Sequence, residues 1–246
     1  MPDLAAGDLT WLIIVAIVAG LIRGFSGFGT GLIYVPLAGT VLPPIWVLIT
    51  LTVMDMIGPL PNLPRALREG RPREVGLLGA GALIGLIPGL WLLDRMAPDT
   101  FRWVVACLCL VTVALMASGW RWTGRMSPGV IGGVGVSSGL LGGVAGLPGP
   151  LVVLTYMAAP LSPAVIRANV LMYLVLWDFL FGGVLLVQGR LSAPPVMLGA
   201  LLIVPYLAAN MLGARLFDPS RERLYRAVAY VLVATAAIAS LPVWET

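Results

Sequence analysis

Apolar stretches of about twenty residues recur along the whole chain, and short polar or charged segments separate them. A helix of that length crosses the hydrocarbon core of a bilayer, so each stretch is a candidate transmembrane helix. The pattern predicts an all-α, polytopic membrane protein with spans near residues 9–40, 45–64, 75–93, 101–119, 128–158, 164–187, 194–216 and 225–243. The first and fifth spans are long and interrupted.

Composition supports a membrane protein and narrows the choice of partners. Of the 246 residues, 59% are hydrophobic and 11% are charged, whereas about 25% of the residues in a soluble domain are charged. All basic residues are arginines, and the net charge is +4. Arginines scattered through loops set membrane orientation, so we expect a lipid bilayer and no nucleic acid as partner. The N-terminus lacks a signal peptide's basic region, so we expect the first apolar segment to be retained.

Glycine and proline interrupt the first and fifth spans. The interruptions are Gly24-Phe-Ser-Gly-Phe-Gly-Thr-Gly31 and Gly142-Gly-Val-Ala-Gly-Leu-Pro-Gly-Pro150. Such residues release backbone N–H and C=O groups that lipid cannot satisfy. Broken helices at matching places in two halves are typical of a transporter's binding site. Close helix packing is the competing explanation, and it suits isolated glycines better than it suits two prolines and two glycines within five residues.

The two interruptions belong to a longer self-similarity. The chain aligns with itself at an offset of 119, which becomes 124 after a five-residue insertion. The aligned pairs are Gly27 with Gly146, Leu32 with Leu151, Pro44 with Pro163, Gly70-Arg71 with Gly189-Arg190, Gly89 with Gly213, Asp94 with Asp218 and Arg102 with Arg226. We predict two homologous four-span repeats, residues 1–119 and 128–246, joined by a linker at 120–127.

Loop charge favours an inverted repeat. Segment 65–74 holds four arginines and its counterpart 187–190 holds one, whereas segment 94–102 holds two and 215–226 holds four. Counterparts on opposite sides of the membrane would differ in this way, because arginine-rich loops stay inside. Inversion requires an odd number of crossings in each half, or re-entrant interrupted segments with both termini outside. Eight full crossings with both ends inside is the simpler alternative.

The interruptions provide the first candidate binding residues. A half-helix that begins at a break directs free N–H groups and the positive end of its dipole toward the membrane centre, which favours an anion. The predicted donors are Ser26, Thr30 and the backbone around Gly27, Gly29, Gly146 and Gly149.

Three residues at the start of the sixth span are further candidates for substrate binding: Arg167, Asn169 and Tyr173. Asn169 and Tyr173 share a helical face, and Arg167 diverges from Asn169 by roughly 200°. Arg167 either pairs with an anionic oxygen or extends to the nearby membrane interface.

Asp55 and Asp178 are the acidic residues that lie well inside apolar spans. A carboxylate in the membrane is costly and is a functional hypothesis by default. Each is therefore a candidate for proton coupling, and structural pairing with an arginine is the alternative.

Little in the sequence favours an enzyme. The chain has no histidine, no cluster with metal-ligand spacing, no nucleophile elbow and no phosphate-binding loop followed by lysine. Cys107 and Cys109 point in different directions from one helix, so we predict packing roles for them. We expect no cofactor and no metal.

The glycine-rich segments resemble the signatures of the sulfite exporter TauE/SafE family of membrane permeases. Gly24 to Gly31 is similar to the family's N-terminal signature, and Gly139 to Pro150, followed by Ser162-Pro163 and Arg167-Ala168, is similar to its second-half signature. The resemblance covers nearly the whole chain. The first copy lacks the prolines of the second, so the two sides of a shared site would be chemically unequal.

This resemblance implies a bacterial or archaeal multi-pass transporter of the cytoplasmic membrane that moves small sulfur-containing or related organic anions, such as sulfite or sulfoacetate. The two glycine-rich segments would build a central site, used by alternating access and coupled to protons or sodium. An anion channel with the same half-helices and a non-transporting membrane scaffold are the alternatives. Direction, substrate, coupling ion and homo-oligomer formation stay open at this point.

Overall fold

The computed structural model describes residues 5–27, 29–119, 126–216, 218 and 222–244. Throughout these ranges the regular structure is helical, with no strand. The helices are α1 (Ala6–Ser26), α2 (Thr30–Ala38), α3 (Pro44–Met56), α4 (Leu63–Glu69), α5 (Pro72–Leu93), α6 (Pro98–Ala117), α7 (Pro128–Ala145), α8 (Gly149–Ala158), α9 (Pro163–Val187), α10 (Ala193–Leu216) and α11 (Glu222–Ala239). The predicted all-α class is confirmed.

Six of these helices are long and apolar enough to cross a membrane: α1, α5, α6, α7, α9 and α10. A seventh candidate combines α3 with residues 60–69, which are bent by 47° relative to it. The predicted spans 9–40 and 128–158 are each divided into a long and a short helix, α1 with α2 and α7 with α8. Large apolar side chains such as Ile84, Val187 and Val204 are exposed. Lipid accommodates such surfaces, so the chain is a polytopic membrane protein.

Proline and serine explain where several helices begin. Pro72, Pro98, Pro128 and Pro163 each occupy the first position of a helix, where the missing N–H is no loss. Before Pro163, the Ser162 hydroxyl accepts the backbone N–H of the third helical residue at 3.4 Å. Because these signals are local, the starts of these helices could be predicted from the sequence to within a few residues.

The helices group into two compact units. The first unit comprises residues 1–54, 96–117 and 192–246, and the second comprises 55–95 and 118–191. Each unit therefore contains helices from both halves of the sequence and one of the two interrupted spans.

In the first unit, α1 packs most closely against α10. A methyl group added to Gly20 or Gly24 would overlap the backbone carbonyl oxygens of Tyr206 and Asn210. From the other side, a methyl group on Gly213 would overlap the Leu21 carbonyl. The three glycines let the two backbones come into direct contact.

In the second unit, α7 packs most closely against α5 in the same manner. A methyl group on Gly139 would overlap the Ala82 carbonyl, and one on Gly143 would lie 2.9 Å from the Leu86 carbonyl oxygen. A methyl group on Gly89 would lie 2.7 Å from the Leu140 carbonyl oxygen.

The glycine contacts of the two units correspond position by position. Adding 119 to Gly20 and Gly24 gives Gly139 and Gly143. Subtracting 124 from their contact residues, Tyr206 and Asn210, gives Ala82 and Leu86, which are the contact residues in the second unit. The reciprocal contact of Gly213 with Leu21 corresponds to that of Gly89 with Leu140 in the same way.

Candidate functional site

The first break separates α1 from α2. The chain leaves α1 after Ser26 through Gly27, whose φ of 77° is left-handed and whose N–H donates to the Arg23 carbonyl at 2.8 Å. Gly29, with φ of 101°, precedes Thr30, the first residue of α2. Two left-handed residues so close together need glycine, because other residues rarely adopt positive φ. Phe28 lies outside the described residues.

A polar cluster with residues that the sequence did not single out joins the two sides of this break. The Arg23 guanidinium donates through Nη1 to Thr30 Oγ1 at 3.1 Å. Thr30 Oγ1 lies 3.1 Å from the hydroxyl oxygen of Tyr206 on α10, and both residues are buried. We call Arg23, Thr30 and Tyr206 the arginine cluster. A sequence signal existed, since Arg23 is the single charged residue between Asp8 and Asp55.

Of the other predicted donors at the first break, Ser26 has its hydroxyl bonded locally. Its Oγ donates to the Ile22 carbonyl at 2.7 Å, within the last turn of α1. Gly27 is exposed, Gly29 is half-buried and Thr30 is buried. Thr30 is thus the predicted residue that the structure brings into contact with a cation.

The second break separates α7 from α8. Gly146, with φ of 65°, ends α7 and donates its N–H to the Gly142 carbonyl at 2.8 Å. Pro148 precedes Gly149, the first residue of α8, and Pro150 follows at the second position. The prolines cannot continue α7, so that helix ends and α8 begins after the break.

Side chains hold the second break through a chain of hydrogen bonds. Ser138 donates its hydroxyl proton to the Pro148 carbonyl oxygen. Because that proton is already used, Tyr173 is the donor in its contact with Ser138, where the two oxygens lie 2.6 Å apart. Ser138 and Tyr173 are both fully buried. The predicted residue Tyr173 therefore fixes the loop between α7 and α8.

Asn169 lies one turn before Tyr173 on the buried side of α9. Its Oδ1 accepts the backbone N–H of Arg71 at 2.7 Å, which anchors the connection between α4 and α5. Its Nδ2 is buried without a hydrogen bond, and so is the hydroxyl of Tyr156 on α8. Tyr156 lies beside Asn169, but the two groups do not meet hydrogen-bonding geometry.

The remaining predicted residues lie in different surroundings. Arg167 is exposed near the start of α9, and no hydrogen bond or ion pair connects it to another described residue. Asp178 is buried and Asp55 is half-buried, and each takes part in a polar interaction. Cys109 is buried with its sulfur 3.6 Å from the Leu32 carbonyl oxygen, whereas Cys107 is exposed, so the two thiols diverge as predicted.

The two breaks differ in what they can do chemically. The first carries the positive charge of Arg23 and the hydroxyls of Thr30 and Tyr206, and one hydroxyl proton is used in the bond between the two hydroxyls. The guanidinium and the other hydroxyl proton can donate to the oxygens of an anion. In the second, the hydroxyls of Ser138 and Tyr173 are already used to hold the backbone of the loop.

Comparison with known proteins supports a transport role for this architecture. The family model described as "Sulfite exporter TauE/SafE" matches residues 12–240, nearly the whole chain. No curated protein and no solved structure matches the chain. The match includes both breaks and both units, and members of this family are membrane transporters rather than enzymes. The chain therefore belongs to the sulfite exporter TauE/SafE family.

Proposed function

We propose that this protein is a secondary transporter of small sulfur-containing anions, such as sulfite, sulfoacetate or similar sulfonates, in the cytoplasmic membrane. The observation that carries the proposal is the arginine cluster at the first break. An arginine inside an apolar span is costly and is typical of a substrate pathway. Here it bonds to Thr30 across a glycine-rich interruption.

The backbone at the break favours the same class of substrate. Helix α2 begins inside the apolar run, so the N–H groups of its first turn have no partners within the helix. These groups and the positive end of the helix dipole attract anions. The Gly27 N–H is bonded to the Arg23 carbonyl, so Gly29 and Thr30 are the candidate backbone donors that we retain at the first break.

At the second break the Gly146 N–H is bonded to the Gly142 carbonyl, so Gly149 is the candidate backbone donor that we retain. Arg167 and Asn169 stay candidate substrate residues, and Tyr173 would have to break its bond with Ser138 to donate to a substrate.

The internal correspondence supports a mechanism of alternating access. Matching glycine contacts in the two units are what a duplicated transporter would contain. We propose that the repeats are inverted and that movement of one repeat against the other exposes the anion to each side in turn. Asp55 and Asp178 are the candidates for proton coupling, and sodium bound at unwound carbonyls is the alternative.

Substrate binding is tested first by thermal stability. The purified protein is heated with sulfite, sulfate, thiosulfate, sulfoacetate, taurine and simple carboxylates in turn. A ligand that binds only the native state raises the unfolding temperature. We expect one or more of the sulfur oxyanions to do so. Stabilisation by none of the anions would contradict the proposal and favour a non-transporting scaffold.

Transport is tested by counterflow in proteoliposomes. Unlabelled substrate inside the vesicles should accelerate uptake of the labelled anion, because a carrier returns loaded. A channel shows no such stimulation. Flux without stimulation by unlabelled substrate would therefore indicate an anion channel and not a transporter.

A further inference from the structure

The polar residues of the arginine cluster, in the first unit, have no polar counterparts at the equivalent positions of the second unit. Adding 119 to Arg23 and Thr30 gives Gly142 and Gly149. Subtracting 124 from Tyr206 gives Ala82. A charge and two hydroxyls in the first unit thus correspond to two glycines and a methyl group in the second, although the surrounding glycine contacts correspond closely.

The second unit also has no room for a charged side chain at the equivalent position. The indole ring of Trp177 occupies the place where a side chain at Gly142 would begin, and Cβ of Pro148 lies 3.1 Å from the same point. Trp177 is itself buried and packs against Phe181 with ring centroids 6.0 Å apart. Apolar packing thus replaces the cation in the second unit.

We propose that Arg23 is the residue that gives this protein its preference for anions, and that the second break serves as a rigid support without charge recognition. This inference rests on the transport function proposed above. It makes specific the expectation that the two sides of the site are chemically unequal. The duplicated backbone would supply one break in each unit, and the first unit alone would carry the chemistry.

The geometry suits arginine in particular. Its planar guanidinium has five N–H donors in a fixed fork, which matches two oxygens of a sulfonate or sulfite. Thr30 orients one edge of that fork through Nη1 and is itself held by Tyr206. Lysine would keep the charge but lose the two-point geometry.

The test compares Arg23→Gln, Arg23→Lys and Thr30→Val with the wild type. The measured quantity is the apparent Kd from thermal-shift titration with the anion that stabilises the wild type best. Loss of a charge-assisted interaction should raise the Kd roughly ten- to hundredfold in Arg23→Gln. Arg23→Lys and Thr30→Val should show smaller increases. The matched control is Arg65→Gln, which removes an exposed arginine on α4 and should leave the Kd unchanged.

A pair of solutes of similar shape isolates the role of charge. Methanesulfonate and dimethyl sulfone differ mainly in one anionic oxygen that a methyl group replaces. We expect the wild type to be stabilised more by methanesulfonate, and we expect Arg23→Gln to lose this discrimination. A Kd in Arg23→Gln equal to that of the wild type would overturn the proposal. If Arg23→Gln does not fold, Thr30→Val decides, because an unchanged Kd in that variant would also overturn it.

Different results would contradict the transport function and the role of Arg23. If no anion stabilises the wild type and no counterflow occurs, the transport function itself is wrong. If the wild type binds and exchanges an anion while Arg23→Gln does so equally well, only the assignment of Arg23 is wrong.

Discussion

Tyr173 on α9 donates a hydrogen bond to the hydroxyl of Ser138 on α7, with 2.6 Å between the two oxygens, and Ser138 donates a hydrogen bond to the Pro148 carbonyl oxygen. Three separate segments of the second unit thus meet in one hydrogen-bonded chain. A helix that ends at proline and glycine leaves backbone groups without partners, and in a membrane such groups must be satisfied by protein. The chain of hydroxyls meets this need at the second break.

This relationship predicts losses of stability of different size for two tyrosine-to-phenylalanine changes. Tyr173→Phe leaves a buried serine and carbonyl with one partner fewer, which should lower the free energy of unfolding by about 1–3 kcal/mol. Tyr156→Phe removes a hydroxyl that is buried without a hydrogen bond, so its effect should stay within about 0.5 kcal/mol. Both are measured by thermal or denaturant unfolding of the purified protein.

The two variants serve as controls for each other, because each removes one oxygen from a buried tyrosine in the same unit. Equal losses would show that the hydroxyl of Tyr156 has a partner in the native protein. A bound water between Tyr156 and Asn169 is the simplest such partner.

The glycine contact between α5 and α7 gives a second prediction. A methyl group on Gly85 would overlap the Val136 carbonyl oxygen, whereas one on Gly76 of the same helix meets no atom within 4 Å. Gly85→Ala should therefore destabilise the protein by about 1–3 kcal/mol through overpacking. Gly76→Ala should be neutral or stabilising by up to about 1 kcal/mol, because alanine favours helix. A Gly85→Ala variant as stable as Gly76→Ala would show that α5 and α7 do not pack this closely.

The sequence predicted the positions of the individual helices better than it predicted which helices pack against each other. Proline at the first helical position and glycine at the breaks are local signals, and the spans drawn from them agree with α1, α5, α7 and α9. The pairing of α1 with α10 depends on contacts such as Gly20 with Tyr206, which are far apart in the sequence. Hydrophobic periodicity does not encode such partners, and it did not predict that each unit would mix helices from both halves.

The candidate site shows the same limit. The glycine motif directed attention to backbone donors, so Arg23 was passed over although it lies one residue before the motif. Arg167 was selected because it stands near a polar pair, and it proves to be exposed. Distinguishing these two arginines required knowledge of what surrounds each guanidinium, which spacing within one helix does not provide.

The left-handed turn at Gly27 makes a third prediction. No atom lies within 4 Å of the place where its Cβ would be, so only backbone strain opposes substitution. Gly27→Ala should cost about 1–2 kcal/mol, because an alanine Cβ disfavours positive φ. Gly27→Asn should cost less, since asparagine tolerates this conformation. Unfolding temperatures of the two variants provide the measurement, and a greater loss in Gly27→Asn would indicate that the residue is packed and not merely left-handed.

A buried arginine in the first unit provides the last prediction. Arg102 on α6 is 5% exposed and donates through Nε to the Ser240 carbonyl oxygen at 2.8 Å, just beyond the end of α11. Carbonyls at a helix C-terminus lack partners within the helix and attract cations. Arg102→Met should therefore destabilise the protein by about 1–3 kcal/mol and increase amide hydrogen exchange in the last turn of α11. Arg102→Lys keeps the charge and one donor. Its free energy of unfolding should therefore lie between those of the wild type and Arg102→Met.

Hydrogen exchange distinguishes this capping role from a general effect of lost charge. Arg65→Gln removes an exposed arginine whose pairing with Glu69 is screened by water, so exchange in α11 should not change. Removing a buried guanidinium also removes the cost of its desolvation, which opposes the loss of the cap. A stabilised Arg102→Met variant with unchanged exchange at residues 236–240 would mean that desolvation outweighs capping and that α11 ends securely without Arg102.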